Sequence, residues 1–190
     1  VIDHGSSQMS DRQEYNRGKT YIRDKAIYTL ALNTGIRVSE LVSLDIGDID
    51  FRRHCFNIIR KRGKEDTVYF SDSVEAALLD WLEIRPQFLS DQNEQALFLS
   101  TQGSKKGLRL SVRSVEILVK KYAKIGAPEI GSKITPHKLR SSYATKIIEK
   151  TGGDINYAKN VLGHENITTT THYIKDNEKQ KELNRNLLDT

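Results

Sequence analysis

Apolar residues recur along this chain with two different periods. From Tyr21 onward, Ile22, Ala26, Ile27, Leu30 and Ala31 share one face of a 3.6-residue repeat, which predicts a helix that stops at Gly35. A second helix is expected at once, capped by Ser39, with Leu41, Val42 and Leu44 inward until Asp45-Ile46-Gly47-Asp48 breaks the pattern. The texture then changes to two β-prone runs, Cys55 to Ile59 and Thr67 to Phe70, separated by a charged segment containing Gly63. These predict a hairpin with a basic tip. Asp72 and Glu75 resemble a capping pair for a helix whose buried stripe is Val74, Ala77, Leu78, Trp81 and Leu82. Leu97-Phe98-Leu99 reads as a short strand. Ser111 to Tyr122 reads as an amphipathic helix with Val115, Leu118, Val119 and Tyr122 inward, ended by Gly126. Thr135-Pro136 is a strong helix start, and that helix runs toward Gly152-Gly153. Asp154 caps the next one, which carries Ile155, Ala158, Val161 and Leu162 and stops at Gly163. A last helix through Tyr173 would depend on packing, because Thr168 to Thr171 are β-branched. The pattern therefore predicts a mainly α fold with a small antiparallel β-hairpin or sheet. Residues 1–20 are polar and unpatterned and read as a linker or flexible N-terminal arm. Residues 176–190 read as a charged C-terminal arm.

Composition narrows the partners. The 190 residues suit one domain, and a net charge of +5 makes polyanions, nucleic acid first among them, the leading partner class. A single cysteine, Cys55, rules out an internal disulfide framework and a cysteine-based zinc site, and it fits a reducing compartment, with the cytoplasm as the default. No run approaches the roughly 18 apolar residues of a membrane span, and Val1-Ile2-Asp3-His4-Gly5 lacks the pattern of a signal peptide. Neither a membrane partner nor export is expected.

The candidate chemistry sits at element boundaries. His137 and Arg140 are three residues apart in the first turns of the Thr135 helix, so both project from one face near its amide-rich end, an arrangement suited to an anion. Arginine offers a permanently charged planar fork that matches phosphate oxygens, and histidine adds a directional donor. Arg37 lies in the loop after Gly35, where Glu40 could orient it. His164 follows the Gly163 stop, and Tyr173 follows the threonine run. Each has an ordinary reading of its own: an exposed helix start, a surface ion pair worth about 0–1 kcal/mol, a histidine complementing a helix C-terminus, a core or rim tyrosine.

The ordered set changes those odds. Thr34-Gly35-Ile36-Arg37-Val38-Ser39-Glu40-Leu41, then Thr135-Pro136-His137-Lys138-Leu139-Arg140, then Leu162-Gly163-His164 and Tyr173 resemble the tyrosine recombinases of the Xer and phage-integrase family, from about Tyr21 to Tyr173. The resemblance implies a catalytic domain over residues 21–175. It implies that Arg37 and Arg140 bind a scissile DNA phosphate, that His137 and His164 assist by hydrogen bonding and proton handling, and that Tyr173 attacks phosphorus. Two fixed guanidinium groups can stabilise the charge on the nonbridging oxygens without a metal, so no cofactor is implied. A phenol with a pKa of about 10 needs help to deprotonate, and His137 is the candidate base. The tyrosyl phosphodiester conserves the energy of the cut bond, so another 5′ hydroxyl can reseal it without ATP.

In this family a lysine in the hairpin protonates the leaving 5′ oxygen. Matching Arg60-Lys61-Arg62-Gly63-Lys64 to the family's Gly-Lys-Gly-x-Lys turn places that lysine at Lys61, with Lys64 in reserve, although arginines here replace both flanking glycines. Ser141 stands where many relatives carry histidine. No carboxylate or cysteine cluster accompanies His164 and His172 with convincing ligand spacing, so no metal is expected there. The resemblance further implies double-stranded DNA as partner and a homotetramer on paired sites, with the usual N-terminal DNA-binding domain absent from this chain. Leu183, Leu187 and Leu188 are candidate anchors for docking on a neighbouring copy. A type IB topoisomerase-like relaxing enzyme and a catalytically silent DNA-binding protein are the alternative readings.

Overall fold

The computed structural model describes residues 11–60 and 63–163, apart from the side chains of residues 11–17 and 19. Among the described residues there are six α-helices: α1 (Asp11–Thr34), α2 (Val38–Ser43), α3 (Asp72–Ile84), α4 (Val112–Gly126), α5 (Pro136–Lys150) and α6 (Ile155–Leu162). Between α2 and α3 lies a three-stranded antiparallel sheet in the order β1 (Ile49–Asp50), β2 (Cys55–Ile59), β3 (Glu65–Tyr69). The expected mainly α fold with a small antiparallel sheet is the one observed.

Helix α1 forms the spine. Its stripe of Ala26, Ile27 and Leu30 is fully buried, and it packs against both α3 and α5. It also begins at Asp11, ten residues before the apolar repeat becomes visible, so half of the expected N-terminal arm is helical. Apolar periodicity reports only a buried stripe, whereas arginine, glutamine, glutamate and lysine extend a helix already nucleated by packing further along.

Local signals place several helix ends. Ser111, Thr135 and Asp154 cap α4, α5 and α6, their side-chain oxygens accepting the backbone N–H of Ser114, Lys138 and Tyr157. Gly163 closes α6 in the left-handed conformation at φ +61°. Two expected caps are corrected. Helix α2 starts from Arg37 rather than Ser39, because the Glu40 side chain accepts the Arg37 backbone N–H at 2.9 Å and draws the start two residues forward. Helix α3 starts from Ser71, leaving Asp72 as its first helical residue instead of its cap.

Leu97 to Leu99 is deeply buried but is not a strand; the segment makes only single bridges, Asp45 with Ala96 and Leu99 with Arg109. The Phe98 carbonyl accepts the Leu110 backbone N–H at 2.9 Å, whereas the carbonyls of Ala96, Leu97 and Leu99 accept from side chains. Trp81 Nε1 donates to Leu97 at 2.8 Å, Arg85 Nε to Ala96 at 3.0 Å, and Arg23 Nη1 to Leu99 at 2.9 Å. Buried backbone acceptors need partners, and side-chain donors supply them here in place of a continuous ladder. Trp81 is fully buried, as its place in the α3 stripe predicts.

A second polar cluster ties α1 to α4. Arg23 pairs with Asp24, Asp24 accepts the Tyr122 hydroxyl at 3.0 Å, and the Tyr28 hydroxyl donates to the Val119 carbonyl at 2.6 Å. Burial, followed by the nearby Asp24 carboxylate, pushes the Tyr122 phenol up to about 12. Among the described residues, no helix is long and apolar enough to cross a membrane.

Candidate active site

Gly35 begins the site. It takes φ +60° just after α1, and a Cβ there would lie 2.4 Å from Tyr143 Cδ1 and 2.9 Å from Leu162 Cδ2. Only glycine satisfies both the backbone and the space. The chain therefore turns tightly against α5 and α6, and two residues later Arg37 stands at the head of α2.

Arg37 and Arg140 come from distant parts of the sequence and meet at the C-terminal end of α6. Arg140, 5% exposed, donates from Nη1 to the Gly35 carbonyl and from Nη2 to the Leu162 carbonyl at 2.5 Å. The side chain of Arg37, 36% exposed, donates from Nη2 to the next carbonyl, Gly163, at 3.3 Å and from Nη1 to Glu40 Oε1 at 2.7 Å. The last carbonyls of a helix carry partial negative charge and lack intrahelical donors, which is why two guanidinium groups collect there. Glu40, 6% exposed, holds the Arg37 backbone and side chain together, as its spacing from Arg37 suggested.

His137 lies in the first turn of α5 on an exposed position, and its carbonyl accepts the Ser141 hydroxyl at 2.9 Å. It shares the α5 face with Arg140 at i,i+3 spacing. Tyr143, which walls Gly35, has its phenol pushed up by burial and then by Tyr157.

The expected hairpin is present, and Arg60, at the end of its first strand, faces inward. Ile59 pairs with Glu65, the Arg60 backbone N–H donates to the Lys64 carbonyl at 2.7 Å, and Gly63 turns the loop at φ +76°. Lys64 is exposed. Arg60 is buried: its Nε meets Asp66 Oδ2 at 2.5 Å, and its Nη1 reaches the Leu162 carbonyl at 3.1 Å and Glu40 Oε1 at 3.5 Å. Strand alternation contained this signal, because Phe56, Ile58 and Arg60 fall on one face with period two and the first two are core. Asp66, paired with Ile58 across the ladder, faces the same way. Lys61, His164 and Tyr173, like the leucines of the C-terminal arm, lie outside the described residues.

One group of potential metal ligands occurs among the described residues. His54, Asp72 and Glu75 bring their donor atoms within 4.8 Å of one another. His54 precedes β2 and Arg60 follows it, so this trio lies roughly 20 Å along the strand from the arginine cluster. Asp72 is almost fully exposed, with Nδ1 of His54 3.6 Å from it and 3.7 Å from Glu75. Those separations describe ion pairing when the imidazole is protonated.

Comparison with known proteins follows the same lines. The tyrosine recombinase XerC of Vibrio cholerae is 40% identical over 153 residues, covering 80% of this chain and 46% of that protein. XerC of Caldanaerobacter subterraneus is 38% identical over 168 residues, covering 87% and 45%. The chain thus spans about half the length of these relatives. The crystal structure of XerA recombinase superposes with a TM-score of 0.69 at 28% identity, over 87% of this chain and 58% of that one. XerH recombinase bound to a palindromic difH substrate shares the fold, with a TM-score of 0.69 at 22% identity, over 96% and 48%. The model of the phage integrase family matches residues 7–180, and the meeting of Arg37 and Arg140 at the end of α6 joins two of the motifs that carry the resemblance. The chain belongs to the phage integrase family and has the fold of a tyrosine recombinase catalytic domain.

Proposed function

We propose that this chain catalyses site-specific recombination of double-stranded DNA by strand cleavage and rejoining through a 3′-phosphotyrosyl intermediate on Tyr173. The observation that carries the reading is the convergence of Arg37 and Arg140 on the Leu162 and Gly163 carbonyls. Fixed guanidinium groups aimed at one place stabilise developing phosphoryl charge without reorganising during the reaction, which is the usual origin of a large electrostatic contribution.

In the proposed reaction Arg37 and Arg140 hold the nonbridging oxygens, and His137 takes the Tyr173 proton as the phenolate oxygen attacks phosphorus. His164 donates a hydrogen bond to the phosphate. The bond from phosphorus to the 5′ oxygen breaks, and that oxygen takes a proton from the hairpin lysine, Lys61 first and Lys64 in reserve. Reversal with the 5′ hydroxyl of a second strand returns the proton and frees the tyrosine. Atoms balance without a cofactor. Paired sites imply a tetramer, with the arm containing Leu183, Leu187 and Leu188 docking on a neighbour. Sedimentation with and without site DNA checks this.

Covalent trapping tests the chemistry. Wild type and Tyr173→Phe are incubated with nicked DNA carrying candidate sites, and a denaturant-resistant adduct is sought. An adduct on a 3′ phosphate that vanishes in Tyr173→Phe is expected. No adduct on a tightly bound site would replace the proposal with a silent binder. An adduct persisting in the variant would move the nucleophile elsewhere.

A further inference from the structure

Three guanidinium groups, not two, occupy the arginine cluster. Arg60 shares Glu40 Oε1 with Arg37, at 3.5 and 2.7 Å, and shares the Leu162 carbonyl with Arg140, at 3.1 and 2.5 Å. It also packs closely against Gly163, where a Cβ would come within 2.6 Å of its Nε and 2.7 Å of its Cζ. We infer that Arg60 is a positioning residue, a strut that fixes Arg37 and Arg140 relative to each other and to the end of α6. The inference rests on the recombinase reading and extends it to a residue outside the proposed contact set.

The chemistry of the side chain suits the task. Arginine has five donors in one rigid plane, so a single group can reach a carboxylate on one side and a helix-end carbonyl on the other. Asp66, 2.5 Å away, is its nearer carboxylate, and Glu40 makes its shorter contact with Arg37, 2.7 Å against 3.5 Å to Arg60. Burial removes water as a competing donor and acceptor, and directional bonds hold better there than at a surface. The backbone of Arg60 also closes the hairpin loop through the Lys64 carbonyl, so the strut links the base of that loop to α6. A lysine at 60 would keep the positive charge and could pair with Asp66. One ammonium on a flexible stem lacks the fixed planar fork that reaches Asp66, Glu40 and the Leu162 carbonyl together.

The test uses the full chain on a nicked site at saturating DNA, reading the single-turnover rate of adduct formation, the DNA Kd and the Tm. Arg60→Ala and Arg60→Lys should both cleave roughly 10- to 100-fold more slowly, the range expected for coupled neighbours in one network. Their Kd should stay within about twofold of wild type, the scatter of uncoupled sites. Combining Arg60→Lys with Glu40→Gln should slow cleavage no more than the worse single change, because both act on Arg37 through the same carboxylate. Should Arg60→Ala fail to fold, Arg60→Lys, which keeps the stem against Gly163, decides the matter.

Wild-type rates in Arg60→Lys would overturn the inference by showing that charge alone suffices. A loss confined to Kd would make Arg60 a direct DNA contact. Rate losses that multiply with Glu40→Gln would make it a structural residue independent of Arg37. An inactive wild type on a bound site would instead remove the recombinase reading, and this inference with it.

Discussion

Replacing Gly35 with alanine tests the geometry that brings the site together. Two costs are legible in the structure. The residue sits at φ +60°, where an L side chain costs about 1–2 kcal/mol. The new methyl would also press on Tyr143 Cδ1 at 2.4 Å and Leu162 Cδ2 at 2.9 Å, and overpacking a filled core costs about 1–3 kcal/mol. Gly35→Ala is therefore expected to lose about 2–5 kcal/mol, a Tm fall of roughly 4–20 °C for a domain of this size. Gly152→Ala is the matched control. It has φ +66° with nothing within 4 Å of its Cβ, so it should show the backbone cost alone. Urea unfolding of both variants, with the slope against denaturant unchanged, measures the difference. Equal losses in the two variants would refute the steric part of the reasoning, and a loss under about 1 kcal/mol at Gly35 would refute the whole of it. Because the Gly35 carbonyl accepts from Arg140, the folded fraction of Gly35→Ala should also cleave DNA more slowly than that of Gly152→Ala.

Two further outcomes follow from the packing and the polar clusters. Asp154→Ala removes the cap of an eight-residue helix and should cost about 0.5–2 kcal/mol; amide exchange should speed up in α6 first, and uniform exchange would mean the cap does not control that helix. Tyr122 holds its proton more tightly folded than unfolded, so its contribution to stability is intact below about pH 10 and is lost as pH rises toward about 12. Denaturant midpoints in that window should fall less steeply in Tyr122→Phe than in wild type, and parallel curves would contradict the assignment.

Much of the fold was legible because its causes are local. Ser111, Thr135-Pro136, Asp154 and Gly163 mark helix ends through bonds spanning a few residues, and the α3 stripe predicts the burial of Trp81. The start of α1 was not legible, since a polar helix carries no apolar stripe to read. Residue type alone does not place the cap of α2, because the Glu40 side chain reaches back to the Arg37 backbone N–H.

The sequence alone determined which residues could serve the site: two arginine motifs, a histidine and their helix starts, all set by short-range spacing and residue chemistry. Only the tertiary structure decided how they meet. Leu97 to Leu99 makes only isolated bridges, and Trp81, Arg85 and Arg23, brought to it by the fold, satisfy the carbonyls of Leu97, Ala96 and Leu99. Arg60 is a buried strut and not an exposed cation because α6 ends against it and Glu40 and Asp66 meet its charge. Propensity acts between neighbours along the chain, whereas a buried charge is placed by whichever partners the fold brings within hydrogen-bond reach.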